Sequence, residues 1–197
     1  MKYYLIILLL VVEVPANSCS KNKDTIPDTR KLEIAIDYFT GEKYHEALMA
    51  FMKLDRRYNL NPRFKAYIGL CYYHECDYAR ASKFLDEAIP SLGIYSPAER
   101  SRYYDAAAES HFILNEYTKA IPVYEMLLLT CRRGEKADVL YRLGFCYMFT
   151  EQWTNAAEYF RSAMAYYNTF HGSNSNARLA QLDNMIKGCE SKNKKSD

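Results

Sequence analysis

The sequence predicts an all-α fold in which four helix–turn–helix units stack in chain order and a ninth helix closes the array. Apolar residues recur at spacings of three and four rather than two, which is the periodicity of helices and not of strands. Small residues also recur at matched positions. In the first half of each unit they are Ala35, Gly69, Ala108 and Gly144, and in the second half Ala47, Ala81, Ala120 and Ala156. Both series advance by 34, 39 and 36 residues, so one structural unit is repeated four times.

The small residues predict places where the two helices of a unit approach each other closely. Gly69 and Gly144 fall inside helical segments, where glycine costs up to about 1 kcal/mol relative to alanine. That cost is tolerated where a side chain would keep two helices apart. Large residues such as Tyr72 and Phe160 then fill the space beside each contact. We therefore expect the eight small residues to be buried between paired helices.

The individual elements follow from this register. The four antiparallel pairs are expected at about 28–40 with 44–58, 62–75 with 78–90, 98–114 with 117–131, and 136–150 with 153–168. Pro62 and Pro97 are placed to begin helices, where the missing N–H does no harm. A polar break that contains Gly172 follows the fourth pair. Helical spacing then resumes at Leu179, Leu182, Met185 and Ile186. Residues 174–189 are predicted to form a capping helix, and residues 190–197 a disordered basic tail.

The repeated unit resembles the tetratricopeptide repeat (TPR), which has a period of about 34 residues with small and aromatic anchor positions. The clearest copy runs Leu140-Tyr141-Arg142-Leu143-Gly144-Phe145-Cys146-Tyr147 and continues with Trp153, Ala156, Phe160 and Ala163. The resemblance covers about 28–168, in repeats of about 28–61, 62–96, 97–134 and 135–168. It implies a right-handed solenoid in which the first helix of each repeat lines a concave groove that receives a peptide.

The resemblance also assigns residues to this groove. By register, its inner face carries Arg63, Tyr67, Tyr73, Arg102, Asp105, Glu109, Phe112, Tyr141, Arg142, Phe145, Met148 and Phe149. Tyrosine, arginine and methionine are enriched in protein interfaces. Burial against a neighbouring repeat or the capping helix would explain Phe145, Met148 and Phe149 equally well. The carboxylate clamp of chaperone-binding TPR proteins is not matched, because Arg102 alone suits its inner positions. The charges of Asp105 and Glu109 favour a basic or apolar ligand.

The first residues resemble an export signal. Lys2 precedes an apolar run over 3–12, which is shorter than the roughly 20 residues that a membrane-spanning helix needs. Ala16-Asn17-Ser18-Cys19 resembles a bacterial lipobox. Residues 1–18 are therefore predicted to be a signal peptide, Cys19 the lipid-bearing residue, and 19–27 a tether. Cleavage after Ala16 for plain secretion and an uncleaved anchor remain alternatives.

Composition and motifs argue against an enzyme, a metalloprotein and a nucleic-acid-binding protein. The net charge of +2 is too small to indicate a nucleic-acid partner. No Gly-rich phosphate loop, nucleophile motif or paired zinc half-site occurs, so we expect no catalytic residue and no small-molecule cofactor. Cys71, His74 and Cys76 have a spacing compatible with a metal, but Cys71 and Cys146 share one repeat position, which indicates small buried residues and no metal. The sequence leaves open the redox state of Cys76, Cys131 and Cys189.

Together with the resemblance, these observations predict a non-enzymatic protein–protein interaction scaffold of the bacterial cell envelope. Its expected partners are a protein or peptide in the concave groove and the lipid bilayer through acylated Cys19. The expected location is the outer or inner membrane facing the periplasm, or the cell surface. Two alternatives stay open. One is a component like the TPR lipoprotein of the outer-membrane barrel-assembly machinery, and the other is a sensory or substrate-binding module for peptide or glycan uptake.

Overall fold

The computed structural model describes residues 27–170 and 176–194, and these ranges form nine α-helices without any β-strand. The helices are α1 (Asp28–Thr40), α2 (Tyr44–Tyr58), α3 (Pro62–His74), α4 (Tyr78–Ala88), α5 (Pro97–Ile113), α6 (Tyr117–Thr130), α7 (Lys136–Phe149), α8 (Trp153–Phe170) and α9 (Asn176–Asn193). A short 3-10 helix, Ile89–Ser91, follows α4. The predicted all-α fold is confirmed, and α1 to α8 end within about two residues of the expected limits.

The helices stack in chain order, each against the next one. α1 and α2, α3 and α4, α5 and α6, and α7 and α8 form the four repeats, and the second helix of each repeat also packs against the first helix of the next. α9 packs against α8 and covers the end of the last repeat. The architecture is therefore the predicted right-handed solenoid of four repeats with a C-terminal capping helix.

The capping helix is longer than the sequence predicts at its C-terminal end. α9 continues to Asn193, so residues 190–193 are helical and do not belong to a disordered tail. Glu190 forms an ion pair with Arg161 of α8, and the ammonium of Lys192 lies 5.9 Å from the centre of the Trp153 ring. These contacts with α8 hold the last turn of α9 in place.

Several sequence predictions fall on residues outside those that the structure describes. They are the signal peptide, Cys19, all of the tether except Pro27, the first two residues of the predicted capping helix, and 195–197. Among the described residues, no helix has both the length and the apolar character needed to cross a membrane.

The small repeat residues lie where the paired helices meet. All eight are buried, and the six alanines among them are 0% exposed. A Cβ atom added to Gly69 would lie 2.6 Å from Cγ of Leu85, and one added to Gly144 would lie 2.4 Å from two ring carbons of Phe160. Real Cβ atoms do not approach carbon this closely, so α3 and α7 contact their partner helices through the glycine backbone.

The turn inside each repeat has one conformation in all four copies. A residue with left-handed backbone follows the first helix, with φ of 59° at Glu42, 59° at Cys76, 60° at Asn115 and 61° at Glu151. These positions advance by the same 34, 39 and 36 residues as the small residues. The next N–H then donates to a carbonyl oxygen five residues back, as from Lys43 to Tyr38 at 2.9 Å and from Gln152 to Tyr147 at 2.8 Å. This is the Schellman ending of a helix, which satisfies its last carbonyl groups.

The third repeat differs from the others at one buried position. His111 stands where the other three repeats carry tyrosine, and it is 2% exposed. Its Nδ1 lies 2.7 Å from a carboxylate oxygen of Glu116, and its Nε2 lies 3.0 Å from one of Asp86. Burial lowers the pKa of His111, but the hydrogen bonds and charges of the two carboxylates outweigh it, so that the pKa is raised overall. When the ring is protonated it donates through both nitrogens, and these contacts tie α4 to the turn between α5 and α6.

Candidate functional site

A cleft of about 700 Å³ opens between α5 and α7, the first helices of the third and fourth repeats. We call it the α5–α7 cleft. Its lining comprises Asp105, Glu109, Phe112, Ile113, Asn115, Tyr117, Tyr124, Asp138, Val139, Tyr141, Arg142, Phe145, Phe149 and Arg178. Seven of these residues belong to the groove set that the sequence predicts: Asp105, Glu109, Phe112, Tyr141, Arg142, Phe145 and Phe149. The volume lies within the range of about 300–1,000 Å³ that is usual for ligand sites.

Aromatic side chains form one end of the cleft. Phe149 stacks on Tyr117 at 4.6 Å between ring centres and on Phe145 at 5.8 Å, while Phe112 meets the edge of Tyr117 at 5.5 Å. Phe149 is 49% exposed, so much of its ring faces the solvent. These rings follow the last turns of α5 and α7, where side chains three and four residues apart share a helix face. This end can accept a large apolar group.

An ion pair crosses the middle of the cleft. Nε of Arg142 lies 2.8 Å from Oε1 of Glu109, and its Nη2 donates to Oε2 at 2.9 Å. The Tyr124 hydroxyl donates to Oε1 of the same carboxylate at 2.6 Å, and the Arg142 guanidinium lies over Phe112 at 4.6 Å. Burial, together with the Glu109 charge, raises the pKa of Tyr124, so its hydroxyl remains a donor at neutral pH. Glu109 and Arg142 are thus largely satisfied by each other and by their neighbours.

Asp105 contrasts with Glu109, although it lies one turn away on the same helix. Within residues 27–170 and 176–194 its carboxylate makes no hydrogen bond or ion pair that meets ordinary distance limits. The Asp105 side chain is exposed at the cleft, but the protein atoms around it partly desolvate the carboxylate. This burial, with the charges of Glu109 and Glu135, raises the pKa of Asp105 to about 6, and Arg142 opposes the rise. At pH 7 Asp105 is therefore mainly a carboxylate without a cationic partner.

The capping helix supplies the wall at the polar end. The Arg178 guanidinium lies over the Tyr141 ring at 4.2 Å from its centre. Tyr141 itself is 9% exposed, so it forms a floor beneath Arg178. Nearby, Asp138 accepts a hydrogen bond from the Tyr167 hydroxyl of α8. The cleft therefore runs from a polar end, with Asp105, Asp138 and Arg178, to an aromatic end.

The residues predicted for the groove in the second repeat lie elsewhere on the concave face. Arg63 donates to Glu99 at 2.8 Å and lies near the ring of Tyr67. Tyr67 stacks on Phe39 of the first repeat at 4.5 Å, so both predicted residues join neighbouring repeats. Tyr73 is half-buried and does not line the cleft, and burial together with the Asp105 charge raises its pKa.

Two further predicted residues do not line the cleft. Arg102 is exposed and lies over the Phe39 ring at 5.9 Å, on the side of α5 that faces the first two repeats. Met148 is half-buried and packs against the core that α7, α8 and α9 share. For Met148 the structure thus favours the burial alternative.

Several cleft residues were not in the predicted set. They are Ile113, Asn115, Tyr117, Tyr124, Asp138, Val139 and Arg178. Tyr117 and Tyr124 belong to a second helix of a repeat, and register alone places such helices on the convex side. Arg178 comes from the capping helix, whose orientation no repeat register specifies. Asp138 lies three residues before Tyr141 on α7, so extending the face of that helix by one turn would have found it.

The cysteines of the described residues do not form a metal site or a disulfide. Cys71, Cys76, Cys131, Cys146 and Cys189 are all free thiols. Cys71 and Cys146 are buried at equivalent repeat positions, and burial raises the pKa of each thiol to about 12. Within the same residues, no group of three or more His, Cys, Asp or Glu side chains could hold a metal ion.

Comparison with known proteins identifies structural neighbours. No protein-family model matches the sequence, and no curated protein sequence matches it. Among solved structures, MamA from Desulfovibrio magneticus RS-1 superposes with a TM-score of 0.56 at 17% identity over 86% of this chain and 97% of that chain. MamA AMB-1 gives 0.59 at 12% identity over 83% and 90% of the two chains. The apo form of RapI gives 0.59 at 13% identity over 86% of this chain and 65% of that chain.

At these identities the neighbours establish the fold. The two matches with MamA cover 86% and 83% of this chain and 97% and 90% of the MamA chains. The chain is thus a helical-repeat solenoid of the tetratricopeptide type, which confirms the fold that the repeated residues predict.

Proposed function

We propose that this protein is a non-enzymatic scaffold of the bacterial cell envelope, held to a membrane by lipid on Cys19, that binds an extended protein segment in the α5–α7 cleft. The observation that carries the binding function is the cleft itself. It combines an exposed aromatic end, where Phe149 leaves half of its ring in water, with a polar end that contains an unpaired carboxylate. Aromatic anchors commonly dominate protein interfaces.

The chemistry of the cleft favours binding and not catalysis. Two of its carboxylates already have partners: Glu109 pairs with Arg142, and Asp138 accepts a hydrogen bond from Tyr167 of α8. Asp105 remains as a lone carboxylate, and no residue that lines the cleft is a histidine, cysteine, serine or lysine that would act as its partner in acid–base or nucleophilic catalysis.

The anchor is proposed from the sequence around Cys19. A diacylated, N-acylated cysteine carries several fatty chains, and each buried methylene contributes roughly 0.8 kcal/mol to membrane binding. The following polar residues, Ser20 to Pro27, would let the solenoid stand clear of the bilayer. In a cell, Cys19→Ser is expected to move the protein from the membrane to the soluble fraction. Retention in the membrane after a carbonate wash would reject lipid anchoring at Cys19.

Partner binding is tested by photo-crosslinking from the cleft in living cells. Phe149 is replaced by the photo-reactive residue p-benzoylphenylalanine, and the matched control carries the same residue at Leu129, which is 85% exposed on α6 and does not line the cleft. The expected result is a discrete adduct with one or a few proteins from position 149 and a weaker or different pattern from position 129. Mass spectrometry of the adduct then names the partner.

A second substitution shows whether the adduct depends on the cleft. Phe145→Ala removes an anchor beside Phe149, and truncation of a true hot spot costs at least about 2 kcal/mol, so the adduct should fall more than tenfold. Circular dichroism must show that the variant keeps its helices. Equal adducts from positions 149 and 129, unchanged by Phe145→Ala, would place partner binding elsewhere on the molecule.

A further inference from the structure

We propose that the α5–α7 cleft is specific for an extended segment that carries a lysine or arginine three positions away from a large apolar residue. This inference deepens the proposed binding function and rests on it. It specifies the chemistry of the partner, whereas the proposed function requires a protein segment of any sequence.

Charge complementarity indicates the basic residue. The cleft is lined by the three carboxylates Asp105, Glu109 and Asp138 and by the two guanidinium groups of Arg142 and Arg178, which leaves one negative charge in excess. Glu109 is held by Arg142 in a two-point ion pair, and Asp138 accepts a hydrogen bond from a buried tyrosine. Of the two cleft carboxylates that are not paired with an arginine, Asp138 is already hydrogen-bonded, so Asp105 is the carboxylate with free acceptor positions for a cation. An ammonium or guanidinium group would complete its contacts, while an acidic group would add repulsion.

The apolar residue follows from the opposite end of the cleft. Phe112, Phe145 and Phe149 surround this end, and Phe149 is half exposed. A large apolar side chain placed here would cover rings that now face water. The free energy gained grows with the apolar surface removed from water, so one well-buried aromatic or aliphatic side chain is a substantial anchor.

The spacing follows from the geometry of α5. Asp105 and Phe112 are seven residues apart and face the same side of the helix, so the two anchor points are separated by about 10.5 Å along its axis. An extended segment of polyproline II type repeats its side-chain direction every three residues and advances about 9 Å in doing so. A basic residue at one position and an apolar residue three positions away therefore reach both ends of the cleft together.

The basic residue makes the affinity depend on pH through Asp105. The charged and titratable groups around this carboxylate are Glu109 on α5 itself, Glu135 and Arg142 at α7, Tyr73 on α3, and Cys131 after α6. Asp105 has a pKa of about 6, so it is ionised at pH 7.5 and protonated at pH 5. A basic ligand is consequently held more weakly at the lower pH.

Selection from a displayed library of random dodecapeptides tests the specificity. The full-length chain, purified in mild detergent, is used as bait, and a parallel selection uses Asp105→Asn. The expected wild-type peptides contain lysine or arginine three positions from a large apolar residue, in either direction along the chain, and the Asp105→Asn selection loses the basic preference but keeps the apolar one. Wild-type peptides enriched in acidic residues, or without any basic residue, would overturn the inference.

The affinity of one selected basic peptide provides the second measurement. Asp105→Asn is expected to weaken it about tenfold, because it removes a charge-assisted hydrogen bond, and to abolish the further weakening between pH 7.5 and pH 5. The control is Glu158→Gln, which makes the same charge change on an exposed residue of α8 outside the cleft and should leave the affinity unchanged. Equal losses in both variants would mean that general attraction, and not the Asp105 contact, binds the peptide.

Two outcomes distinguish a failure of the proposed specificity from a failure of the proposed binding site. Peptides that lose binding with Phe145→Ala but show no basic preference would leave the cleft as the binding site and reject the role of Asp105. Peptides that ignore both substitutions would reject the cleft as the binding site, and both statements would then fail.

Discussion

A methyl group added at Gly144 tests the close approach of the paired helices most directly. In Gly144→Ala the new Cβ would lie 2.4 Å from two ring carbons of Phe160, more than 1 Å inside the usual carbon–carbon contact of roughly 3.5–4.0 Å. The Phe160 ring has little room to withdraw, since it is 0% exposed and packs edge-on against Phe145 at 5.3 Å between ring centres. Overpacking of this kind costs about 1–3 kcal/mol.

Helix propensity opposes this cost and sets the size of the net effect. Replacing a glycine inside a helix by alanine stabilises it by up to about 1 kcal/mol. We therefore expect Gly144→Ala to destabilise the protein by up to about 2 kcal/mol. For a domain of this size, 1 kcal/mol corresponds to a change of about 2–4 °C in Tm, so the Tm of the variant should fall by up to about 8 °C.

Gly188 provides a matched control for the same substitution. It lies inside α9, and a Cβ atom added there would meet no atom within 4 Å. Gly188→Ala therefore gains helix propensity without a steric cost, and its Tm should rise by about 2–4 °C. Thermal unfolding followed by circular dichroism at 222 nm measures both variants. If Gly144→Ala raised the Tm as Gly188→Ala is expected to do, the direct packing of α7 on α8 through its backbone would be refuted.

Three further predictions concern other parts of the solenoid. Asp86 and Glu116 raise the pKa of His111 above 6.5, so its stabilising contribution is complete below pH 6.5 and is lost as the pH rises through the raised pKa. Urea unfolding at several pH values should show this loss of stability in the wild type. His111→Gln should not show it. Glu151 has a left-handed backbone with φ of 61°, which glycine adopts without a steric cost. Glu151→Gly should therefore raise the free energy of unfolding in urea by about 0.5–1 kcal/mol. An unchanged or lower value would contradict an unfavourable backbone at this residue. Leu182 is fully buried in α9, and Leu182→Ala should lower the free energy of unfolding by about 2–5 kcal/mol. Amide hydrogen exchange should become faster in α9 than in the other helices. An equal increase in all helices would contradict local unfolding of the capping helix.

The sequence was sufficient to predict the fold because its signals are local and recur. Gly69 and Gly144 identify the helix crossings, and Pro62 and Pro97 mark the beginnings of two helices; Asn61 and Ser96 cap these helices through their side chains. Four copies in register fix the helix limits more firmly than any one copy. The end of α9 was missed because it depends on contacts with α8, where the ion pair between Arg161 and Glu190 joins residues 29 positions apart.

The candidate site was predictable in part for the same reason. Repeat register places Glu109, Arg142 and Phe145 on first helices, and these residues do line the cleft. Register cannot foresee Arg178, because the direction in which α9 crosses the last repeat depends on tertiary packing. It also cannot distinguish Phe149, which is half exposed in the cleft, from Met148, which packs into the core, since one residue of rotation separates the two environments.

The four equivalent turns provide positions from which the curvature of the solenoid can be measured. Glu42, Cys76, Asn115 and Glu151 hold equivalent places in successive repeats, so distances between probes attached there report the pitch and opening of the array. Cys76 is already an exposed thiol, whereas Cys71, Cys146 and Cys189 are buried. A second probe at position 151, compared with and without a bound segment, would show whether the solenoid closes around its partner or binds it as a rigid surface. Half-exposed Cys131 would be changed to serine first, so that each spin label or fluorophore has a single attachment point.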